Sequence, residues 1–340
     1  MPTETLVLGL DIGGTSTRAL VIDTVGRRIA SARGPGANLT SHGAEVALAA
    51  ISSTVTETLA GVEDAGAVRH AVVGTAGAAN LLVPSVAAEF RRMWHDTGLM
   101  CPYDVVSDAR VAYVAGTAEP AGTLLLCGTG ALAARFEDRR RTHTVDGHGW
   151  LLGDTGSGFW LGREAARVTL AALDQTQPPG PLARAVFSRL LPDEPDPWKG
   201  GPATTPTARQ LREVASRLVL AVHSRAPVTL AELAPLVSAE VHSDPQAQRL
   251  VTDAAEHVLR AAAAVRAEGD ATPIVFAGSL LTSPTPLRRV LEPRLNAHWP
   301  HARISAATDG AAGAAWLAAA HLLGPDSSES AELHARLLDQ

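Results

Sequence analysis

A short apolar run over residues 6–10 leads into Asp11-Ile12-Gly13-Gly14-Thr15, and a second apolar run follows over residues 18–23. Val25-Gly26-Arg27 then leads into Ile29-Ala30-Ser31-Ala32. Short apolar runs broken by glycine-bearing turns predict a meander of three short antiparallel strands. From Glu45 to Ala60 the apolar spacing becomes helical, after a Ser41-His42-Gly43 start. Residues 69–74 read as a buried strand, 82–97 as a helix, and 103–107 as a strand that delivers Asp108, with helix from Ala109 onward.

The pattern then restarts. Residues 122–127 form a strand, Gly128-Thr129-Gly130 a tight turn, and 131–137 and 140–145 two further strands. Helical spacing follows over 157–173, 208–223, 230–239 and 247–268. Residues 273–277 read as a buried strand ended by Gly278-Ser279, 303–306 as a last short strand, and 311–321 as a last helix. The stretch 175–207 is rich in proline and glycine and reads as a long irregular loop. Two meanders, each opening with a strand that runs into a glycine-threonine turn, point to a duplicated domain.

Composition narrows the function. The chain has 340 residues, 46% of them hydrophobic and 19% charged, which suits globular domains with a sizeable core. Its net charge of −6 runs against a nucleic-acid partner. No apolar run reaches the roughly 20 residues that span a bilayer, so no membrane partner is expected. The opening residues carry neither a basic segment nor a cleavage site, which predicts a cytoplasmic protein. Two cysteines, Cys101 and Cys127, are too few for a disulfide framework or a paired metal site and read as buried thiols. Lys199 is the only lysine, and it lies in a proline-rich loop. Neither a Walker A loop nor a protein-kinase lysine can be built from it. Phosphates would therefore be held by backbone amides, hydroxyls and a metal ion.

Four segments can carry such chemistry. At Gly13-Gly14 the backbone can approach an anion closely, and the hydroxyls of Thr15 and Thr17 can donate to phosphate oxygens, with Asp11 placed to hold Mg²⁺ directly or through water. An ordinary hairpin would look the same. Gly128-Thr129-Gly130 repeats that chemistry in the second meander. Asp108, at the end of a buried strand, is placed to accept a proton from an attacking hydroxyl, although aspartate also caps helices well. Between Gly147 and Ser157 the segment GHGWLLGDTGS concentrates glycine ahead of a helix, with Asp154 available to sugar hydroxyls. Asn38 in a loop and Gly278-Ser279 after a strand complete the set.

Together these motifs resemble the N-acetylglucosamine kinase group of the BadF/BadG ATPase family, within the actin, Hsp70 and sugar-kinase superfamily. The resemblance covers nearly the whole chain. Asp11 to Thr15 resembles the first phosphate motif, Gly128 to Gly130 the second, residues 147–157 the GWGxxxGDxGS signature, and residues 274–280 the adenosine motif. The resemblance implies an α/β fold of two actin-like, ribonuclease H-like domains with a nucleotide cleft between them. The domains would comprise residues 1–117 with a returning helix near 311–323, and residues 118–310. It also implies that ATP and Mg²⁺ are used, that Asp108 is the base, that Asn38, Thr129, Gly149 and Asp154 line the sugar pocket, and that the 6-hydroxyl of the sugar is phosphorylated by a homodimer. Thr155 stands where the signature usually has glutamate, and His-Gly-Trp replaces Trp-Gly-x. This form, GHGWLLGDTGSGFWLGRE, is most similar to the arginine-rich bacterial branch associated with glucosamine, which favours glucosamine over the alternative, N-acetylglucosamine. A more remote alternative is an ATPase activator of a partner redox enzyme. The two cysteines are not spaced for the iron–sulfur cluster such relatives hold. A sugar-sensing repressor would need a helix-turn-helix, and the negative charge also disfavours it.

Overall fold

A computed structural model of the chain describes residues 5–39, 43–175, 179–199 and 206–338. The expected helix start at Ser41-His42 lies outside these residues. Within β1 (Leu6–Ile12) every residue is buried except the partly exposed Asp11. Burial on both faces makes it a central strand. It pairs antiparallel with β2 (Ser16–Asp23), whose register Ile12↔Thr17 closes the glycine turn. On its other side it pairs in parallel with β4 (Val68–Thr75). β3 (Arg28–Pro35) and β5 (Tyr103–Ser107) complete a sheet in the order β3-β2-β1-β4-β5.

One face of this sheet is covered by α1 (Ala44–Leu59) and α2 (Pro84–Asp96). α1 buries Ala47, Leu48, Ile51, Val55 and Leu59, a helical spacing that lays one stripe on Leu8, Leu10, Ala19 and Val21. α2 adds Phe90 and Trp94. α3 (Asp108–Val114) follows β5 directly.

The second sheet contains β6 (Gly122–Cys127), β7 (Ala131–Glu137), β8 (Arg140–Asp146), β9 (Ile274–Ala277) and β10 (Ile304–Ala306), in the order β10-β9-β6-β7-β8. From its other edge this reads β8-β7-β6-β9-β10, which is the plan of the first sheet strand for strand. The inferred duplication is thus visible in the topology. Helices α4 (Gly158–Asp174), α5 (Pro181–Leu190), α6 (Ala208–His223), α7 (Ala234–Ala239), α8 (Pro245–Val265), the short α9 (Ser279–Thr282) and α10 (Pro286–His298) belong to this half. α11 (Gly310–Leu323) returns to pack on β1. The chain divides into one unit of Met1–Leu124, Phe136–Arg141 and Ile304–Gln340, and another of Leu125–Arg135 and Thr142–Arg303.

Three sequence expectations need correction. The stretch 175–207 is not one irregular loop, because it contains α5. Proline opens that helix at its first turn, where no amide partner is lost, and Leu182, Ala183, Val186, Phe187 and Leu190 form its buried stripe. Residues 176–178 and 200–205 of the stretch lie outside the described residues. The expected helix over 230–239 is a 3-10 segment, Pro227–Leu233, that passes into α7. The helix over 311–321 is not the last, since α12 (Ser328–Leu338) follows it. α12 is tied to α11 by the Trp316 indole, which donates to the Ser330 carbonyl at 2.8 Å. Among the described residues no helix is long and apolar enough to cross a membrane.

Candidate active site

In the first unit the tip of the β1–β2 hairpin is closed by the Gly13 amide, which donates to the Ser16 carbonyl at 3.0 Å. Gly14 and Thr15 are exposed, and a Cβ added to Gly14 would meet nothing within 4 Å. That open space is what an anion needs for close approach. The tip is braced from behind by Gly36. A Cβ there would lie 2.5 Å from the Gly14 carbonyl carbon and 2.8 Å from the Thr15 nitrogen, so only glycine fits. The Ala37 amide donates to the Gly13 carbonyl at 3.1 Å, and this places Asn38, the next residue, beside the tip.

Thr17 does not match its expected role. Its side chain is completely buried and its hydroxyl has no hydrogen-bond partner. Along β2, positions 17, 19 and 21 share one face, and Ala19 and Val21 belong to the core. A hydroxyl sealed in that face is out of reach of a bound phosphate in this conformation, so Gly13, Gly14 and Thr15 remain as the candidate anion contacts.

Three carboxylates meet near the hairpin. Burial, opposed by Arg18 and reinforced by the charges of Asp108 and Asp309, raises the Asp11 carboxyl to about 6. Asp309, which the sequence reading missed, caps α11 by accepting the Ala312 amide at 3.2 Å and takes a salt bridge from Arg28 at 2.9 Å. Gly310 is tight against Asp11, since an added Cβ would lie 2.6 Å from the Asp11 Cγ. Asp108 is likewise raised by burial, opposed by the Ala109 amide, which donates to its Oδ1 at 2.8 Å, and by the charge of Arg141. Asp108 is not the cap of its helix. Ser107 fills that place and accepts the Arg110 amide at 3.2 Å. The structural explanation for an aspartate here is thereby weakened.

A largely buried acid with two like charges nearby and only Arg18 opposing them suits a hard dication such as Mg²⁺. Among the described residues no third ligand atom closes on Asp11 tightly enough to make a protein cage. One carboxylate acting directly or through water is what such an arrangement supplies, as is common for Mg²⁺ on a nucleotide. Because burial and neighbouring charge penalise ionised Asp11, folding loses stability as pH rises from 3.8 towards 6, and the loss is complete above that. Asp11→Asn is therefore expected to raise the melting stability of the ligand-free protein at pH 7 by roughly 1–3 kcal/mol. Mg²⁺-dependent nucleotide binding should weaken at the same time. An unchanged or lower melting temperature would count against this reading of Asp11.

In the second unit the β6–β7 turn is held at both ends. The Gly128 amide donates to Gly130 at 2.9 Å, and the first amides of α4, from Gly158 and Phe159, donate to the Gly128 and Thr129 carbonyls at 2.7 and 3.2 Å. Thr129 remains exposed. Gly278 lies on this turn with φ +79, and a Cβ there would come within 2.8 Å of the Gly128 nitrogen. Both the left-handed backbone and the close approach require glycine. A cavity of about 360 Å³ opens beside these residues, lined by Gly128, Thr129, Ala234, Ser238, Ser279 and Leu280 among others. Its size and its mixture of small apolar and hydroxyl side chains suit a nucleoside.

The glycine-rich segment is organised by Asp146, a second residue the sequence reading missed. Asp146 has φ +67, and its carboxylate accepts the amides of Gly147 (2.8 Å), Asp154 (2.6 Å) and Thr155 (2.9 Å) and the Thr155 hydroxyl (2.7 Å). Burial alone would raise its pKa, but these donors hold it below the ordinary 3.8. The loop's anchoring is thus complete above pH ~4 and is lost as pH falls through the lowered value. Asp154, with φ +56, is raised by burial and by Asp146, while the Ala131 and Gly149 amides counter this. A Cβ on Gly130 would sit 3.0 Å from the Asp154 Oδ2, so Gly130, Gly149 and Asp154 form one group. If Asp154 meets a sugar, as the resemblance implies, Asp146→Ala is expected to raise the KM for sugar by about tenfold or more with a smaller change in the KM for ATP, because it unties Asp154. Equal effects on both constants would mean general damage instead.

The sequence profile described as the BadF/BadG/BcrA/BcrD ATPase family matches residues 8–318. The chain is 29% identical over 212 residues to an N-acetyl-D-glucosamine kinase of Dictyostelium discoideum, a span covering 59% of this chain and 66% of that protein. It is 27% identical over 175 residues to an N-acetylmuramic acid/N-acetylglucosamine kinase of Clostridium acetobutylicum, covering 50% and 55%. The chain thus matches just under two thirds of the first relative's length and about half of the second's. Among solved structures, a Chromobacterium violaceum protein provisionally described as N-acetylglucosamine kinase superposes with a TM-score of 0.72 at 24% identity, over 93% of this chain and 99% of that one. A ROK family glucokinase of Streptomyces griseus, solved with glucose and AMPPNP, gives 0.52 at 18% identity, over 92% and 99%. At such identities these likenesses speak for the fold, which is the two-domain, actin-like α/β architecture of sugar kinases. With the profile matched along residues 8–318, the chain belongs to the BadF/BadG/BcrA/BcrD ATPase family.

Proposed function

We propose that this protein is an ATP-dependent kinase that phosphorylates the 6-hydroxyl of an amino sugar, with Asp108 as general base. The observation that carries the proposal is the state of Asp108. It ends a buried strand, Ser107 relieves it of the capping role, and burial raises its pKa towards the range in which a carboxylate can take a proton. The hydroxyl proton would pass to Asp108 as the sugar oxygen attacks the γ-phosphorus in line and ADP leaves. Mg²⁺ held by Asp11 would neutralise charge on the transferring group. Amides and hydroxyls of Gly13, Gly14 and Thr15, and those of Gly128, Thr129 and Gly130, would do the work that a lysine does in other kinases. Gly278 and Ser279 would flank the nucleoside.

The sugar itself would be met by Asn38, Thr129, Gly149 and Asp154. The two curated relatives are named for N-acetylglucosamine, which makes that sugar the leading substrate. Glucosamine, favoured by the form of the 147–164 signature, is the second reading. One feature of that signature bears on the choice. The hydroxyl of Thr155, which replaces the usual glutamate, is spent on Asp146, so it offers no carboxylate to a cationic amine. ADP release should be measured with N-acetylglucosamine, glucosamine, glucose and N-acetylmannosamine, with and without Mg²⁺. An N-acetylglucosamine rate well above the others, lost without the metal, is expected. Comparable rates on glucose and both amino sugars would overturn the substrate assignment. A homodimer in the cytoplasm completes the proposal, and the mass in solution tests its first half.

A further inference from the structure

Beside the edge strand β5 the first unit contains a cavity of about 720 Å³, bounded by α3, the far end of α11 and the β7–β8 turn. Arg110, Arg139 and Arg140 line it, together with Asp104, Asp138 and Asp326. Asp108 is not among its lining residues. Two of the three carboxylates are already engaged. Asp104 meets His70 Nε2 at 3.2 Å, and Asp326 accepts Arg139 Nη1 at 2.9 Å. Arg139 also donates through Nε to the Ala118 carbonyl at 2.9 Å. The remaining cations are Arg110 and Arg140.

Arg110 is the unusual one. Its Nε is buried without a hydrogen-bond partner, and among the described residues it forms no ion pair. Burial and the neighbouring charge of Arg140 hold its guanidinium below the ordinary value, with Arg139 adding to this and Asp104 opposing it. Arg110 is partly exposed, but a guanidinium nitrogen buried without a hydrogen-bond partner is costly to the fold. A second guanidinium aimed at the same space makes it worse. A planar donor fork next to another cation matches a dianionic phosphoryl group.

We propose that this cavity is a binding site for a phosphate monoester, gripped by Arg110 and Arg140 and separate from the catalytic carboxylate. Its volume leaves room for the organic part of a small phosphorylated metabolite beyond the phosphoryl group. The inference does not depend on which sugar the enzyme phosphorylates, since it rests on side chains that the proposed reaction does not use.

The test follows the melting temperature and calorimetric binding of the full chain with inorganic phosphate and with N-acetylglucosamine 6-phosphate, against sodium chloride of equal ionic strength. Wild-type protein should be stabilised saturably by both phosphates and not by chloride. Arg140→Ala, a change at an exposed residue, and Arg110→Met should each weaken the binding by at least about tenfold, roughly the loss of one charge-assisted hydrogen bond. Without phosphate, Arg110→Met should melt no lower than wild type, because an unpaired cation has been removed. Tighter binding of the sugar phosphate than of inorganic phosphate would show that the cavity also holds the organic part, and equal binding would show phosphoryl recognition alone. Both results support the site. No stabilisation of the wild type, or an undiminished response in the Arg140→Ala variant, overturns it.

Discussion

Asp108→Asn is expected to lower kcat by at least ~100-fold while the affinity for ATP stays nearly unchanged. The asparagine keeps the shape and the hydrogen bond from the Ala109 amide, yet it cannot take the hydroxyl proton. The pH dependence gives a second readout. Asp108 must be ionised to act, and its pKa lies above the ordinary 3.8 because burial outweighs the Ala109 amide and the charge of Arg141. In wild-type enzyme kcat should therefore fall with decreasing pH along a limb displaced upward from 3.8, and in Asp108→Asn that limb should vanish. Turnover near the wild-type rate in the variant would remove Asp108 from the role. Weakened ATP binding with unchanged kcat would move it to the nucleotide site.

Gly9→Ala should strongly destabilise the first unit. Gly9 lies in the middle of β1, and a Cβ there would be 2.7 Å from the Ala315 Cα and closer still to the Ala315 nitrogen and Ala311 oxygen. All three are backbone atoms of α11, so no side chain can rotate out of the way. The helix would have to lift off the sheet. Overpacking of this kind costs about 3 kcal/mol, the upper end of the usual range, because several backbone contacts are violated at once. That corresponds to a Tm lower by roughly 6 °C or more. The damage should also reach function, since α11 begins at Asp309 and Gly310, against Asp11. A variant that melts within about 1 °C of wild type would show that the helix has slack there.

The parts of the site that were legible in the sequence are those whose chemistry is local. A glycine turn between apolar runs, a carboxylate at a strand end and a glycine-dense segment before a helix each announce themselves within a dozen residues. The duplication was legible for the same reason. What stayed hidden depends on contacts across the chain. Asp309 matters because α11 returns to β1, and nothing in Asp309-Gly310 alone says which strand it will meet. Gly36 looks like one more turn glycine until Gly14 is found against it. Asp146 precedes the signature, and only the fold shows that it ties Asp154 and Thr155. Thr17 is the converse. Its hydroxyl fits a phosphate motif by type, but strand periodicity turns it inward with Ala19 and Val21. Helix α5 was obscured by the prolines around it, although its apolar spacing was present.

The two amides that α4 lends to the Gly128–Thr129 turn affect how tightly that turn can bind. A glycine loop left free samples many shapes, and gripping an anion would then mean surrendering that freedom at the moment of binding. Here the freedom was given up when the chain folded, so the turn would meet an anion already set, and the entropy lost on association would be smaller by that amount.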